Sequence, residues 1–238
     1  MTVAGVLLDL DDTILAFDSV TEQAWAEVCA RHAPALDCSA DRLQAAIRQT
    51  ARWFWGDPAR HRWGRLDLVR ARREIVDLAL RQLHVDGGSA GDRIADDYAE
   101  AREAAIRPLP GAMEAVAQWR RAGLRLAMVT NGAAADQRRK IDRFGLAPLF
   151  DVILVEGEVG FGKPDRRIFA LALRRLGLAA AQVYMVGDSL AFDVAGAQQL
   201  GIHTVWIDAQ GRGMPPEGAV RPDACVRLLA DLTTVIGA

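Results

Sequence analysis

The sequence predicts an α/β protein, with a doubly wound, mostly parallel sheet as its core and an all-helical cap domain inserted after the first strand. Two observations predict the sheet. Val3-Ala4-Gly5-Val6-Leu7-Leu8 is an apolar run without alternation, the pattern of a strand covered on both faces. Four similar runs recur in the second half of the chain, separated by amphipathic helical stretches, which is the alternation of a parallel α/β sheet. A third observation predicts the cap: residues 16–107 carry helical periodicity and no convincing strand.

After the first strand, apolar spacing places helices over residues 21–31, 41–53, 66–83 and 90–106. Arg107-Pro108-Leu109-Pro110-Gly111 reads as a linker, because its prolines and glycine interrupt any regular element. A helix at 111–122 then leads to a strand at 124–130, and a helix at 133–144 to a strand at 151–155. Helices at 166–176 and 191–200 flank a strand at 183–187 and precede one at 203–207. Gly145, Gly177 and Gly201 follow three of these helices, where glycine readily takes the left-handed conformation that ends a helix. The resulting boundaries are residues 1–15 with 108–238 for the core, and 16–107 for the cap.

A chain of 238 residues is long enough for one large core or two modest ones. Its 29 basic and 31 acidic residues nearly balance, which argues against a dedicated nucleic-acid binder. Of the basic residues 27 are Arg, and only Lys140 and Lys163 are Lys. Cys29, Cys38 and Cys225 share no CxxC spacing, which speaks against a disulfide framework or a structural zinc site and for a reducing compartment. No apolar stretch approaches the roughly 20 residues of a membrane span, and no basic leader precedes the first apolar run. These features predict a soluble cytoplasmic protein, a monomer or homodimer, with a small-molecule substrate and neither nucleic acid nor membrane as partner.

The strongest local signal is Asp9-Leu10-Asp11-Asp12-Thr13, where the first strand ends. Ligands of open α/β sheets sit at the carboxyl ends of the strands. Three acids in four residues there repel one another unless a cation neutralises them, and a hard divalent ion, Mg²⁺, is the economical candidate; a solvated acidic turn is the alternative. The second strand ends in Thr130-Asn131-Gly132, which is either an anion nest beside a helix start or an ordinary turn. The fourth ends in Gly187-Asp188-Ser189 with Asp193 five residues beyond Asp188, and a lone Asp there could cap the next helix. Gly157 to Lys163 matches the Gly-x4-Gly-Lys part of a phosphate-binding P-loop, but Pro164 stands where Ser or Thr must reach Mg²⁺. Nucleotide triphosphate hydrolysis is therefore rejected, and Lys163 is placed in an extended loop with its ammonium toward the crevice.

With these four elements in order, the sequence resembles the haloacid dehalogenase superfamily of phosphohydrolases. Asp9 to Thr13 looks like the first motif, Thr130 the second, Lys163-Pro164 the third, and Gly187-Asp188 through Asp193 the fourth. The helical insertion after the first motif resembles the helical-cap subgroup, and the Asp-Leu-Asp-Asp-Thr spelling is similar to phosphatases of pyrimidine nucleotides, acylneuraminate phosphate and flavin-related phosphates. Phe192 departs from the Asn of many relatives. The resemblance implies a Rossmann-like core and a phosphatase in which Asp9 attacks phosphorus to form an aspartyl-phosphate and Asp11 acts as acid and then base. It also implies Mg²⁺ held by the Asp9 and Asp188 carboxylates and the Asp11 backbone carbonyl. Thr130, Asn131 and Lys163 would bind the phosphoryl oxygens, with Thr13 and Asp193 in support, the latter orienting Lys163 or a metal-bound water.

Two other chemistries of the superfamily conflict with the residues. Dehalogenases lack an acid at the position of Asp11, and the Schiff-base phosphonate cleavers need a cap lysine, whereas residues 16–107 contain none. A sugar-phosphate mutase remains an alternative. A non-catalytic phosphoacceptor module would be about half this length, and a silent binding protein would be expected to have lost one of Asp9, Asp11, Lys163 or Asp188.

Specificity is expected from the cap. Its segment 48–73 holds eight Arg, His61, Trp53, Phe54, Trp55 and Trp63 against only Asp57 and Asp67. Trp53, Trp55 and Trp63 are candidates to stack on a substrate ring while an Arg pairs with a second anionic group; the alternative is that they pack the cap. In an Arg-rich chain the retained Lys163 gains weight, because a compact ammonium fits between carboxylates and a phosphoryl oxygen where a guanidinium fork is bulky. Lys140 reads as a surface residue.

Overall fold

The computed structural model describes residues 3–85, 88–217 and 219–234. The chain divides into two compact units, Met1–Ala16 with Arg107–Ala238, and Phe17–Ile106. The first unit opens with β1 (Gly5–Leu8), buried at all four residues, and after a tight turn continues into β2 (Leu15–Ala16).

The second unit is helical, with α1 (Thr21–His32), α2 (Ala40–Trp55), α3 (Pro58–Gly64), α4 (Leu68–Gln82) and α5 (Ala90–Ala105). Ser39, Asp57 and Asp67 accept the backbone N–H groups of Arg42, Arg60 and Arg70 and so start α2, α3 and α4. The Asp67 cap is why the predicted helix over 66–83 begins at Leu68. Helix α3 was not foreseen, although Asp57 followed by Pro58 is a helix-start signature. The core of this unit gathers Trp25, Leu43, Ile47, Phe54, Val76, Ile94 and Tyr98.

Back in the first unit, β3 (Arg107–Pro108) pairs antiparallel with β2, Leu15 opposite Pro108 and Ala16 opposite Arg107. The stretch expected to be a linker is thus a short ladder that ties the two chain crossings together. There follow α6 (Ala112–Arg121), β4 (Arg125–Thr130), α7 (Ala134–Arg143), β5 (Val152–Val155), α8 (Glu156–Val159), α9 (Arg166–Leu176), β6 (Val183–Gly187), α10 (Ala195–Gln198), β7 (His203–Ile207) and β8 (Ala224–Val226). The sheet order is β5-β4-β1-β6-β7-β8, and every neighbouring pair is parallel. The predicted helix over 191–200 is present and begins as a π-helical turn over Leu190–Val194, in which Ser189 O accepts both the Asp193 and Val194 N–H groups, before it continues as α10. One apolar cluster joins Phe169 of α9 to Leu7, Val129, Leu154 and Met185 of the sheet. Cys29, Cys38 and Cys225 are free thiols. No helix of the described residues is long and apolar enough to cross a membrane.

Candidate active site

Because the chain reverses direction across the sheet after β5, the carboxyl ends of β4, β1 and β6 lie side by side, the place where open α/β sheets bind ligands. Asp9 N–H donates to Val186 O at 3.0 Å, which carries the β1–β6 pairing one residue further and sets Asp9 beside the end of β6. Asp188 follows Gly187, and the Trp206 indole N–H donates to its backbone oxygen at 2.7 Å. The loop bearing Lys163 is fixed by Asn131. Lys163 N–H donates to Asn131 Oδ1 at 2.7 Å, and Asn131 Nδ2 donates to Lys163 O at 2.8 Å. Glu156, the first residue of α8 and buried, accepts the Gly132 N–H at 3.1 Å; no motif of the sequence marks it.

At the centre, Lys163 Nζ lies 2.6 Å from Asp9 Oδ1 and 2.6 Å from Asp193 Oδ1, and all three side chains are buried. Asp193 is backed by the Ser189 N–H, which donates to Oδ2 at 3.0 Å. Gly187 is required beneath it, since a Cβ there would stand 2.2 Å from Asp193 Oδ2. One oxygen of each of Asp9, Asp188 and Asp193 lies within 4.8 Å of the others, so three carboxylates face one ammonium. Burial, opposed by Lys163 and reinforced by Asp193, pushes the Asp9 carboxyl up to about 7. Burial and then the charges of Asp9, Asp193 and Asp12 push Asp188 up to about 9. The Asp188 carboxylate accepts no hydrogen bond among the described residues. A largely buried carboxylate without a partner, in a cluster carrying excess negative charge, fits a hard divalent cation bound through oxygen.

Asp11 lies to one side of this cluster. Both of its oxygens meet the Lys140 ammonium, at 2.5 and 2.6 Å, and Oδ2 also accepts from Gln137 Nε2 at 3.1 Å. The same Gln137 nitrogen donates to Thr130 Oγ1 in a short hydrogen bond and to Asn131 O at 2.9 Å. Lys140 is therefore not the surface residue the sequence suggested: it is only 3% exposed, because helix α7 turns positions 137, 140 and 141 inward. Thr13 is fully buried, and its hydroxyl has no hydrogen-bond partner among the described residues.

The helical unit has a cavity of its own, about 500 Å³ in volume, lined by Phe17, Trp25, Trp55, Arg72, Tyr98 and Arg102 among others. Trp25 and Tyr98 stack with ring centroids 3.6 Å apart. Arg102 is nine-tenths buried, with its guanidinium 4.0 Å from the Phe17 ring and a 3.5 Å hydrogen bond to the Tyr98 hydroxyl. No carboxylate lies within ion-pair distance of it among the described residues. Of the three tryptophans expected to contact substrate, only Trp55 lines this cavity. Trp53 is half exposed beneath the Arg60 guanidinium, and Trp63 packs edge-on against Phe54.

The sequence model of the haloacid dehalogenase-like hydrolase family matches residues 3–201. The chain is similar to a phosphoserine phosphatase of Thermus thermophilus, 37% identical over 229 residues that cover 89% of this chain and 90% of that protein. It is similar to a glyceraldehyde 3-phosphate phosphatase of Methanopyrus kandleri, 28% identical over 211 residues that cover 86% and 84%. In fold it is similar to the HAD-hydrolase YfnB from Bacillus subtilis bound to magnesium, with a TM-score of 0.78 over the whole of both chains at 22% identity.

Proposed function

Since the chain belongs to the haloacid dehalogenase-like hydrolases and is a phosphatase of that superfamily, we propose that it hydrolyses the phosphate monoester of a small metabolite through an aspartyl-phosphate, with Mg²⁺ as cofactor. The observation that carries this reading is the buried Asp9–Lys163–Asp193 array with Asp188 beside it at the carboxyl edge of the sheet. Lys163 holds Asp9 Oδ1, and the other oxygen of Asp9 accepts no hydrogen bond among the described residues, which suits a nucleophile. Asp9 attacks phosphorus, the bond to the organic oxygen breaks, and Asp11 gives that oxygen a proton, so the alcohol leaves neutral. Ionised Asp11 then takes a proton from water, whose oxygen attacks the acyl phosphate, releasing inorganic phosphate and restoring Asp9. Lys163, the Thr130 hydroxyl and the Asn131 N–H are the groups proposed to bind the phosphoryl oxygens. The Asp9 and Asp188 carboxylates, with the Asp11 carbonyl, would hold Mg²⁺, whose charge offsets that of the phosphoryl group.

The names of the relatives share a phosphate but differ in the organic part, and the helical unit is proposed to select it, with Arg102 as the candidate for an anionic group. Release of p-nitrophenol from p-nitrophenyl phosphate should require Mg²⁺ and vanish in Asp9→Asn protein that keeps its far-ultraviolet dichroism. Turnover that survives either EDTA or that substitution would overturn the corresponding assignment.

A further inference from the structure

Lys140 and Gln137 take no part in the reaction described above, yet they are the two polar side chains on the buried face of α7. A helix that packed merely to fill the core would present apolar groups there, and a buried ammonium is costly unless it is paired. Lys140 is paired with both oxygens of Asp11, at 2.5 and 2.6 Å, which fixes the carboxylate about its own terminal torsion. Gln137 donates to Asp11 Oδ2 and to Thr130 Oγ1 from one nitrogen, so the proposed acid–base and a proposed phosphoryl ligand share a donor. Composition points the same way: among 27 Arg the chain keeps two Lys, and both are buried against aspartates of the first motif.

We propose that Lys140, aided by Gln137, is a positioning residue that holds the Asp11 carboxylate beside Thr130, so that the proton is delivered next to the phosphoryl group being transferred. This rests on the phosphatase reading above.

The test compares aryl phosphates. p-Nitrophenol leaves without a proton, whereas phenol needs one, and kcat/KM reports the step in which the ester bond breaks. Lys140→Met should cost roughly tenfold more on phenyl phosphate than on p-nitrophenyl phosphate, a part of the range general acids supply. Gln137→Met should show the same selectivity to a smaller degree, and it carries the comparison if Lys140→Met does not fold. Added to Asp11→Asn, Lys140→Met should cause no further loss, as expected of a residue acting through Asp11. Equal losses on both esters, or none, would mean that Lys140 only braces the fold and would overturn the proposal. An active Asp9→Asn enzyme would instead remove the phosphatase mechanism and this proposal with it, whereas an inactive Asp9→Asn with an unselective Lys140→Met defeats the positioning role alone.

Discussion

Stripping divalent cations from the protein should make its stability fall as the pH rises toward neutrality. Asp9 and Asp188 are pushed from 3.8 up to about 7 and about 9, chiefly by burial. Between the unfolded and folded values the native state binds more protons than the unfolded one, so the slope of stability against pH is negative. The two groups interact and titrate as a pair. One retained proton corresponds to a loss of about 3 kcal/mol from pH 5 to pH 7, and two to about 5 kcal/mol, at 1.36 kcal/mol per unit. Carboxylates shifted the other way do not tilt this window. Asp97, lowered by its hydrogen bond from His32, and Asp165, lowered by that from Arg167, lose their contribution only as the pH falls below the ordinary carboxylate range. Urea unfolding in EDTA, followed by circular dichroism at several pH values, reads the slope directly. Millimolar MgCl₂ should abolish or reverse it, because a cation bound to the native state takes the place of the protons. In EDTA, Asp188→Asn should unfold at higher urea than the unsubstituted protein above neutrality. Stability that is flat or rising with pH in EDTA, or the same slope with and without Mg²⁺, would refute the argument that the acidic cluster is short of a cation.

Gly187→Ala should lower stability by about 1–3 kcal/mol, as overpacking does, and should abolish turnover, since its Cβ meets the carboxylate of Asp193; an active, stable variant would show that Asp193 can retreat without consequence. Arg102→Met should raise KM for an anionic substrate by roughly tenfold with kcat within about a factor of two, as expected for a charge-assisted contact made equally in ground and transition states. Trp53→Ala should leave KM unchanged, because that ring stands outside the cavity; a rise in KM there would restore the stacking role read from the sequence.

What was legible in the sequence, and what was not, follows from how each residue reaches the site. Asp9, Thr130 and Asp188 lie at or just beyond the last residues of strands, so finding the strands finds them, and apolar runs buried on both faces are easily found. Lys163 is carried by a loop whose position depends on Asn131, yet its motif with Pro164 located it and its rarity in an Arg-rich chain added weight. Lys140 had the same rarity and was still misread, because helical periodicity assigns polar residues to the solvent face and has no means to mark one that is buried by a partner 129 positions away. Arg102 was hidden for a related reason: its burial comes from the rings of Phe17 and Tyr98, a tertiary event that the Arg count of segment 48–73 directed attention away from. The short β8 and α8 escaped because neither is long enough to establish a period. Periodicity locates the scaffold, whereas a buried charge is defined by its partner, so in such a chain a scarce residue type is a better guide to the site than its place on a helix.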